Sequence, residues 1–502
     1  MAAGLLPALA QPPFGVLPGL LGYALLLALL DRAAPPLRSA FARGWLAGCG
    51  YFALSLWWLT EPFQVDAANQ GWMAPFAVAA VTAGMALFWG VAALAYRLAA
   101  PKGVARVLVF AGAFAGAEWL RGHVLTGFPW DLPGETWRAG SPMSQGAALV
   151  GAYGLSWITI AISAALAVIA EGWRGRMSVA AAVLALAGLY GFGAQRLGGA
   201  PTTSASAPLI RVVQADVRQE SKYDPALFAS IVARYVSLTR RPAARVPAIV
   251  VWPEGAIPDA LEDYLAPGTW TETDIAGALQ PGQTLILGGY REGNTRTDPP
   301  VAYNSLAALR RGPQNLSLLG LYDKFRLVPF GEFIPFDALA GRLGIKTFVH
   351  VGDGFTPGPR PRPMAIPSLP AMQPLICYEA LYPGFTREGA RAAGFRPAWI
   401  VNISNDAWFG ATSGPLQHLN IASYRAIEEG LPMVRATPTG VSAVIDAFGR
   451  PMATLPEGAF GVIDQPLPAA LAPTPFSRFG GIPFAIMLAA SLACALWPRR
   501  RA

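Results

Sequence analysis

Three side chains of different chemistry each follow a short apolar run in the second half of the chain. They are Glu254 in segment 250–255, Lys324 in segment 322–332 and Cys377 in segment 374–383. A thiol needs a base to become a nucleophile, and a glutamate in a desolvated pocket can serve where no histidine stands nearby. A lysine favours the thiolate and can donate to an oxyanion. Together they predict a cysteine acyl-transfer site that needs no metal and no other cofactor.

The inventory of cysteines and histidines narrows the chemistry. The chain has 3 cysteines, of which Cys49 and Cys494 lie in apolar segments, so the polar part has no disulfide framework. The 3 histidines are not clustered, and no His-rich or Cys-rich spacing predicts a metal site. A lone cysteine is more often an inert core residue than a nucleophile. The case for Cys377 therefore depends on its companions.

An α/β domain must position these groups. From Leu209 onward, short β-rich runs alternate with helix-like stretches, which predicts a layered domain over residues 208–472. A further polar cluster, 402–410, ends another such run and contains Asn405 and Trp408. Any one cluster could be a solvated strand end. A carboxylate, an ammonium and a thiol that all follow strands favour a site, because α/β sheets place their sites at the carboxyl ends of strands.

The first 200 residues predict a membrane bundle. The 502-residue chain is 53% hydrophobic and only 14% charged, whereas soluble domains carry about 25% charged residues. Runs near the ~20 residues needed to span a bilayer lie at about 15–30, 44–61, 73–96, 104–120, 145–170, 178–195 and 479–497. We therefore expect transmembrane helices in 1–200 and a last one at 479–497.

Basic residues set the topology. Arginines and lysines concentrate in alternate short loops, which the positive-inside rule assigns to the cytoplasm. The domain between the last two spans then faces the other side, which in a bacterium is the periplasm. Because the basic residues have this role, the net charge of +8 does not indicate nucleic-acid binding.

Two loops and the start of the chain stand apart. The loop 121–130 mixes aromatics with a cation, which indicates either an interfacial aromatic belt or a floor beneath an active site. Residues 341–370 are rich in glycine and proline and predict a lid or binding loop. Residues 2–10 are apolar but too short to cross a bilayer alone.

The motifs resemble a known superfamily. Trp252-Pro253-Glu254, Lys324 with the segment 328–332, and Cys377-Tyr378-Glu379 are similar to motifs of the carbon–nitrogen hydrolase (nitrilase) superfamily. With the predicted bundle and the segments 125–130 and 404–410, nearly the whole chain resembles the bacterial apolipoprotein N-acyltransferase family. The chain departs from that family in its short first apolar stretch.

The resemblance implies a fold and a set of roles. The fold is an αββα nitrilase-like sandwich in the periplasm, on an eight-helix bundle in the inner (cytoplasmic) membrane. Glu254 matches the general base, Lys324 the oxyanion-supporting lysine, Cys377 the nucleophile and Glu332 a glutamate that supports the first two. The remaining matches are residues beside the nucleophile or lining the pocket: Tyr378, Glu379, Trp252, Asn405 and Trp408.

The resemblance also implies a reaction and its partners. Cys377 takes an acyl chain from a membrane phospholipid as a thioester and passes it to the N-terminal α-amino group of a diacylglyceryl-cysteine lipoprotein. No cofactor, metal or nucleic acid takes part, and we expect a monomer. The loop 341–370 resembles the family's mobile arm.

Two other functions stay open on the sequence. A membrane-tethered hydrolase of the same superfamily would share the Glu-Lys-Cys set and act on a small amide or nitrile with water as acceptor. A transporter or scaffold with an inactive outer domain would need ionisable groups within its spans. The predicted spans are nearly free of charge, with Glu118 near one end as the main candidate.

Overall fold

The computed structural model describes residues 1–32, 36–293, 301–334 and 354–496. A helix overlaps each of the seven apolar runs predicted from the sequence. The helices of the bundle are α1 Ala2–Ala10, α2 Leu21–Asp31, α3 Leu37–Ser55, α4 Ala67–Gln70, α5 Ala74–Ala99, α6 Ala105–Arg121, α7 Ala147–Ala164 and α8 Gly172–Gly198.

Three of the described helical segments are long and apolar enough to cross a membrane: Ala67–Ala99, Met143–Val168 and Gly172–Gly198. Two shorter apolar helical segments of the bundle are Leu17–Asp31 and Ile482–Leu496. These segments, with the composition of the chain, identify a polytopic membrane protein.

Small residues let the bundle helices approach closely. A methyl group added at Gly44 of α3 would lie 2.4 Å from the carbonyl oxygen of Trp89 on α5, and one added at Gly48 would lie 2.8 Å from Cα of Ala86. Glycine is therefore required where these two helices cross, as is common between helices in lipid.

Two β-sheets form the centre of the second half. Their strands are β1 Leu209–Gln214, β2 Ile249–Val251, β3 Thr284–Glu292, β4 Ala302–Arg311, β5 Leu316–Asp323, β6 Met372–Ile376, β7 Trp399–Ile403, β8 Met433–Ala436, β9 Ser442–Ile445, β10 Pro451–Leu455 and β11 Gly461–Pro466. The six-stranded sheet has the order β11-β1-β2-β3-β4-β5, and the five-stranded sheet has the order β10-β9-β8-β7-β6. The strands β1, β2 and β3 run parallel, as do β6, β7 and β8.

Helices cover the outer face of each sheet. Those beside the six-stranded sheet are α9 Gln219–Lys222, α10 Phe228–Thr239, α11 Leu261–Tyr264 and α12 Trp270–Ala278, and those beside the five-stranded sheet are α13 Phe385–Ala393 and α14 Gly414–Glu429. Apolar side chains of both sheets, such as Val212, Val251, Val401 and Val434, share one buried core between them. The layer order is helix, sheet, sheet, helix, as predicted.

Helix α14 joins the two halves of the molecule. Its apolar residues belong to the same buried core as the bundle helices. Its Tyr424 hydroxyl donates to the carbonyl oxygen of Gly134 at 2.9 Å, and its Arg425 guanidinium bonds Glu135 at 3.1 Å. Beyond α14 the chain returns through α15 Pro475–Phe479 to α16 Ile482–Leu496, which packs on α6 and α7.

Candidate active site

The structure brings the three predicted groups to one place. Glu254 lies three residues beyond the end of β2, Lys324 directly follows β5 and Cys377 directly follows β6. The Lys324 ammonium lies 3.3 Å from Oε1 of Glu254 and 2.9 Å from Oε1 of Glu332. All four side chains are buried. The six-stranded sheet supplies the carboxylate and the ammonium, and the five-stranded sheet supplies the thiol.

Cys377 occupies a sharp junction. Strand β6 ends at Ile376, and a 3₁₀ turn, Cys377–Leu381, begins at once. The φ angle of Cys377 is +48°, in the left-handed region that side chains rarely adopt. Strained backbone of this kind persists where the surrounding structure fixes it, often at functional sites.

The Cys377 thiol rests in its protonated form. Burial and the charge of Glu254 raise its pKa to about 12, although Lys324 acts in the opposite direction. The sulfur therefore needs a base before it can attack. Among the described residues, Oε2 of Glu254 has no hydrogen-bond partner, so this oxygen is free to accept a proton.

Lys324 keeps its charge in this buried position. Burial alone would lower the pKa of its ammonium, but the carboxylates of Glu254 and Glu332 raise it overall. Glu332 is itself fixed, because its Oε2 accepts a hydrogen bond from the backbone N–H of Val328 at 2.8 Å. The ammonium is thus a positioned donor that could meet negative charge developing on a substrate oxygen.

Asn304 on β4 is a site residue that none of the sequence motifs indicated. Its Nδ2 donates at 2.7 Å to Oε1 of Glu254 and at 2.7 Å to Oε1 of Glu332. The amide occupies Oε1 of Glu254 and so leaves Oε2 as the oxygen available for proton transfer. The available signal was an asparagine near the start of a predicted strand, where a buried amide needs partners.

Glu379 connects the two sides of the site. Its Oε1 accepts hydrogen bonds from the Tyr322 hydroxyl at 2.7 Å and from the backbone N–H groups of Phe325 at 2.8 Å and Arg326 at 3.2 Å. Its Oε2 accepts from the N–H of Ile376 at 2.8 Å. Burial raises the pKa of Glu379 to about 7. The carboxyl group therefore holds the segment after Lys324 against the turn that carries Cys377.

The aromatic loop 121–130 lies beneath the nucleophile turn. The Tyr378 hydroxyl donates to the carbonyl oxygen of Gly127 at 2.6 Å, and the Tyr382 hydroxyl donates to the same oxygen at 2.9 Å. The rings of Phe128 and Tyr378 stack at 6.4 Å. The sequence left two interpretations of this loop, an interfacial aromatic belt or a floor beneath an active site. These contacts agree with the second.

The three residues that were predicted to line the pocket lie in three different environments. Trp252 does not reach the site: its indole N–H donates to Oγ1 of Thr239 at 3.0 Å, in the layer between the six-stranded sheet and α10. Asn405 donates to Oε1 of Gln219 on α9 at 2.9 Å. Trp408 lies on the turn Asp406–Phe409 with 39% of its surface exposed.

A buried ionic network lies next to the nucleophile. Asp406 bonds Nη2 of Arg435 at 2.7 Å and Nδ1 of His418 at 3.0 Å. Although burial opposes it, the guanidinium of Arg435 holds the pKa of Asp406 well below its usual range. Arg435 belongs to none of the sequence motifs, and it lies 29 residues from Asp406 along the chain.

The first part of the predicted lid 341–370, residues 341–353, lies outside the described residues. Where the chain resumes, it borders the site. The N–H of Phe355 donates to the carbonyl oxygen of Glu332 at 2.8 Å, and the N–H of Gly358 donates to that of Lys324 at 2.8 Å.

The layer order and the Glu–Lys–Cys cluster between two sheets define a protein of the carbon–nitrogen hydrolase class, and the model of that family matches residues 209–474. The model of the apolipoprotein N-acyltransferase N-terminal domain matches residues 3–165. An apolipoprotein N-acyltransferase from Caulobacter vibrioides is 56% identical over 97% of this chain and 92% of its own length. Another, from Bradyrhizobium diazoefficiens, is 38% identical over 100% of this chain and 94% of its own. The chain belongs to the apolipoprotein N-acyltransferase family and is an acyltransferase.

A solved structure of a Nesterenkonia amidase from the nitrilase superfamily is also similar. It is 17% identical and covers 53% of this chain and 93% of its own, with a TM-score of 0.36.

Proposed function

We propose that this enzyme transfers an acyl chain from a membrane phospholipid, through a thioester on Cys377, to the N-terminal α-amino group of a diacylglyceryl-cysteine lipoprotein. The observation that carries the proposal is the buried cluster of Glu254, Lys324 and Cys377, mounted directly on a membrane bundle. The relatives' name supports lipoprotein N-acylation as the overall reaction.

In the first half-reaction, Oε2 of Glu254 takes the thiol proton as the sulfur of Cys377 attacks the ester carbonyl of the phospholipid. The Lys324 ammonium, with backbone N–H groups of the nucleophile turn, stabilises the tetrahedral oxyanion. The carbon–oxygen bond of the ester then breaks, and the leaving alkoxide takes the proton from Glu254. Lysophospholipid departs and the acyl chain stays on sulfur.

In the second half-reaction, the α-amino group of the lipoprotein attacks the thioester carbonyl. Glu254 accepts a proton from the attacking nitrogen and returns one to the leaving thiolate, so the enzyme regains its starting state. Because one site handles both substrates in turn, we expect ping-pong kinetics.

The bundle supports a lipid substrate. The 3₁₀ segment Trp57–Gln64, which follows α3, lies beside the site, where the rings of Trp58 and Phe409 are 4.6 Å apart. A site fixed to the bundle would hold two membrane-anchored reactants at high effective concentration. We infer a monomer in the bacterial inner membrane, with its catalytic domain in the periplasm, opposite the basic loops.

The decisive experiment uses phospholipid with a labelled acyl chain and a synthetic diacylated lipopeptide. The wild-type enzyme should form a labelled thioester, which hydroxylamine removes, and should then pass the label to the lipopeptide. Cys377→Ala is the control and should form no thioester. Release of the label as free fatty acid without transfer would favour the hydrolase, and absence of any thioester would refute the proposal.

A further inference from the structure

A second lysine lies beside the base without a counter-ion. Lys222 ends the short helix α9, and its side chain is only 4% exposed. A methyl group added at Gly255, the residue after the base, would lie 2.7 Å from its Nζ. Within the described part of the chain, the ammonium has no hydrogen bond or ion pair, and its neighbour's ring, Tyr223, has its centre 5.8 Å away.

The position of Lys222 is costly for a cation. Burial lowers the pKa of its ammonium to about 8, although the charge of Glu254 works against this. Glu254 gives it no hydrogen bond; the Oε1 of that residue is taken by Asn304 and Lys324. A largely buried cation without an ion pair is unfavourable unless an opposite charge compensates it. An anionic group of a bound ligand would do so.

The chemistry of the two substrates selects the anion. This step rests on the proposed function, in which the site takes a phospholipid and then a lipoprotein amine. The donor presents an ester and a phosphodiester and the acceptor presents an amine, and of these three groups the phosphodiester alone is negatively charged. Its distance from the ester is one glycerol unit, and Lys222 stands next to the base that serves the ester. Charge-assisted hydrogen bonds to phosphate are stronger than hydrogen bonds between neutral groups.

We propose that Lys222 binds the phosphodiester of the glycerophospholipid donor and so selects phospholipids as acyl donors. The contact serves the first half-reaction and ends when lysophospholipid leaves. It involves the part common to all glycerophospholipids, so it does not depend on the headgroup beyond the phosphate.

The test compares two acyl donors in single-turnover thioester formation on Cys377. One donor is a phospholipid, and the other is p-nitrophenyl palmitate, an ester without phosphate. Lys222→Met should raise the half-saturating concentration of phospholipid at least tenfold more than that of p-nitrophenyl palmitate, in line with the roughly 1.5–3 kcal/mol of hydrogen bonds to charged groups. Lys222→Arg should recover part of the loss, and Lys102→Met, at an exposed position, is the matched control.

The outcomes separate the possible failures. Equal losses with the two donors would mean that Lys222 acts on Glu254, and the inference would be overturned, as it would by no loss with either. A wild-type enzyme that accepts p-nitrophenyl palmitate but never a phospholipid would overturn the proposed function itself. The thermal midpoint of Lys222→Met should not fall below that of the wild type, because an unpaired buried charge is removed.

Discussion

The two walls of the active site are held in different ways. The wall from the five-stranded sheet carries Cys377 and is fixed to the bundle through Tyr378, Tyr382 and helix α14. The wall from the six-stranded sheet carries Glu254 and Lys324, and its helix α10 packs in a separate core made of that sheet and its own helices.

The two walls therefore position their catalytic groups relative to different parts of the molecule. In the proposed reaction the nucleophile, Cys377, is positioned relative to the membrane, where both lipid substrates would reside. The base and the ammonium are positioned relative to the nucleophile, by Glu379 and by the core between the sheets. We therefore expect variants of the first wall other than those of Cys377 to affect stability and the docking of the domain, and variants of Glu254 and Lys324 on the second wall to affect the chemical step.

The largest effect should come from Glu254→Gln, which removes the base and keeps the shape. Thioester formation should slow by about 10²–10⁴-fold, the usual contribution of a general base. Single-turnover labelling measures it. The matched control, Glu262→Gln at an exposed position, should retain wild-type rates, and a Glu254→Gln enzyme within tenfold of wild type would assign the proton transfer to another group.

Alkylation of Cys377 should become faster as the pH rises, because the thiolate is the reactive form. An ordinary cysteine has a pKa of 9.0 and Cys377 one of about 12, so at pH 8 its thiolate fraction should be roughly 10³-fold lower. Iodoacetamide should react slowly below pH 9 and faster as the pH rises toward 12. The measurement uses a Cys49→Ala, Cys494→Ala background, with unfolded protein as the control. A rate that levels off near pH 7 would contradict the burial of the thiol.

Lys324→Ala should be more damaging to thioester formation than Glu379→Ala, at a temperature where both variants are folded. The ammonium meets charge that grows in the transition state, and loss of one such donor costs about 10²–10³-fold. Glu379→Ala leaves several buried donors unpaired, at about 1–3 kcal/mol each, so its main effect should be a lower thermal midpoint. Equal rate losses in the two folded variants would remove the distinction between the walls.

Arg425→Met tests the attachment of the first wall. Arg425 on α14 bonds Glu135 of the bundle side and Glu428, and all three are buried. Removal of one partner should destabilise the protein by about 3–5 kcal/mol, because buried charges lose their compensation. Thermal unfolding in detergent measures the change, and Arg391→Met, at an exposed position, is the control. An unchanged midpoint would mean that α14 is held by apolar packing alone.

The short motifs predicted which groups the structure brings together. Glu254, Lys324 and Cys377 each follow a strand, and α/β sheets place their sites at the carboxyl ends of strands. Local sequence carries that information, because each residue's place depends only on the strand before it. The length and apolarity of the runs predicted the membrane helices for the same reason.

Other positions depended on the tertiary structure. Trp252 and Glu254 are two residues apart, and strand alternation would place them on one face. Strand β2 ends at Val251, so the alternation stops and the two side chains lie in different layers. A motif of adjacent residues therefore did not predict a shared environment.

Contacts between distant parts of the chain could not be predicted from the sequence. Asn304 joins two glutamates, one 50 residues before it and one 28 residues after it, and Arg425 bonds a carboxylate 290 residues away. The sequence by itself determined which chemical groups follow the strands and that the protein lies in a membrane. Only the folded chain decided which oxygen of Glu254 is free and how each wall is held, because both depend on partners that become neighbours only when the sheets and helices pack.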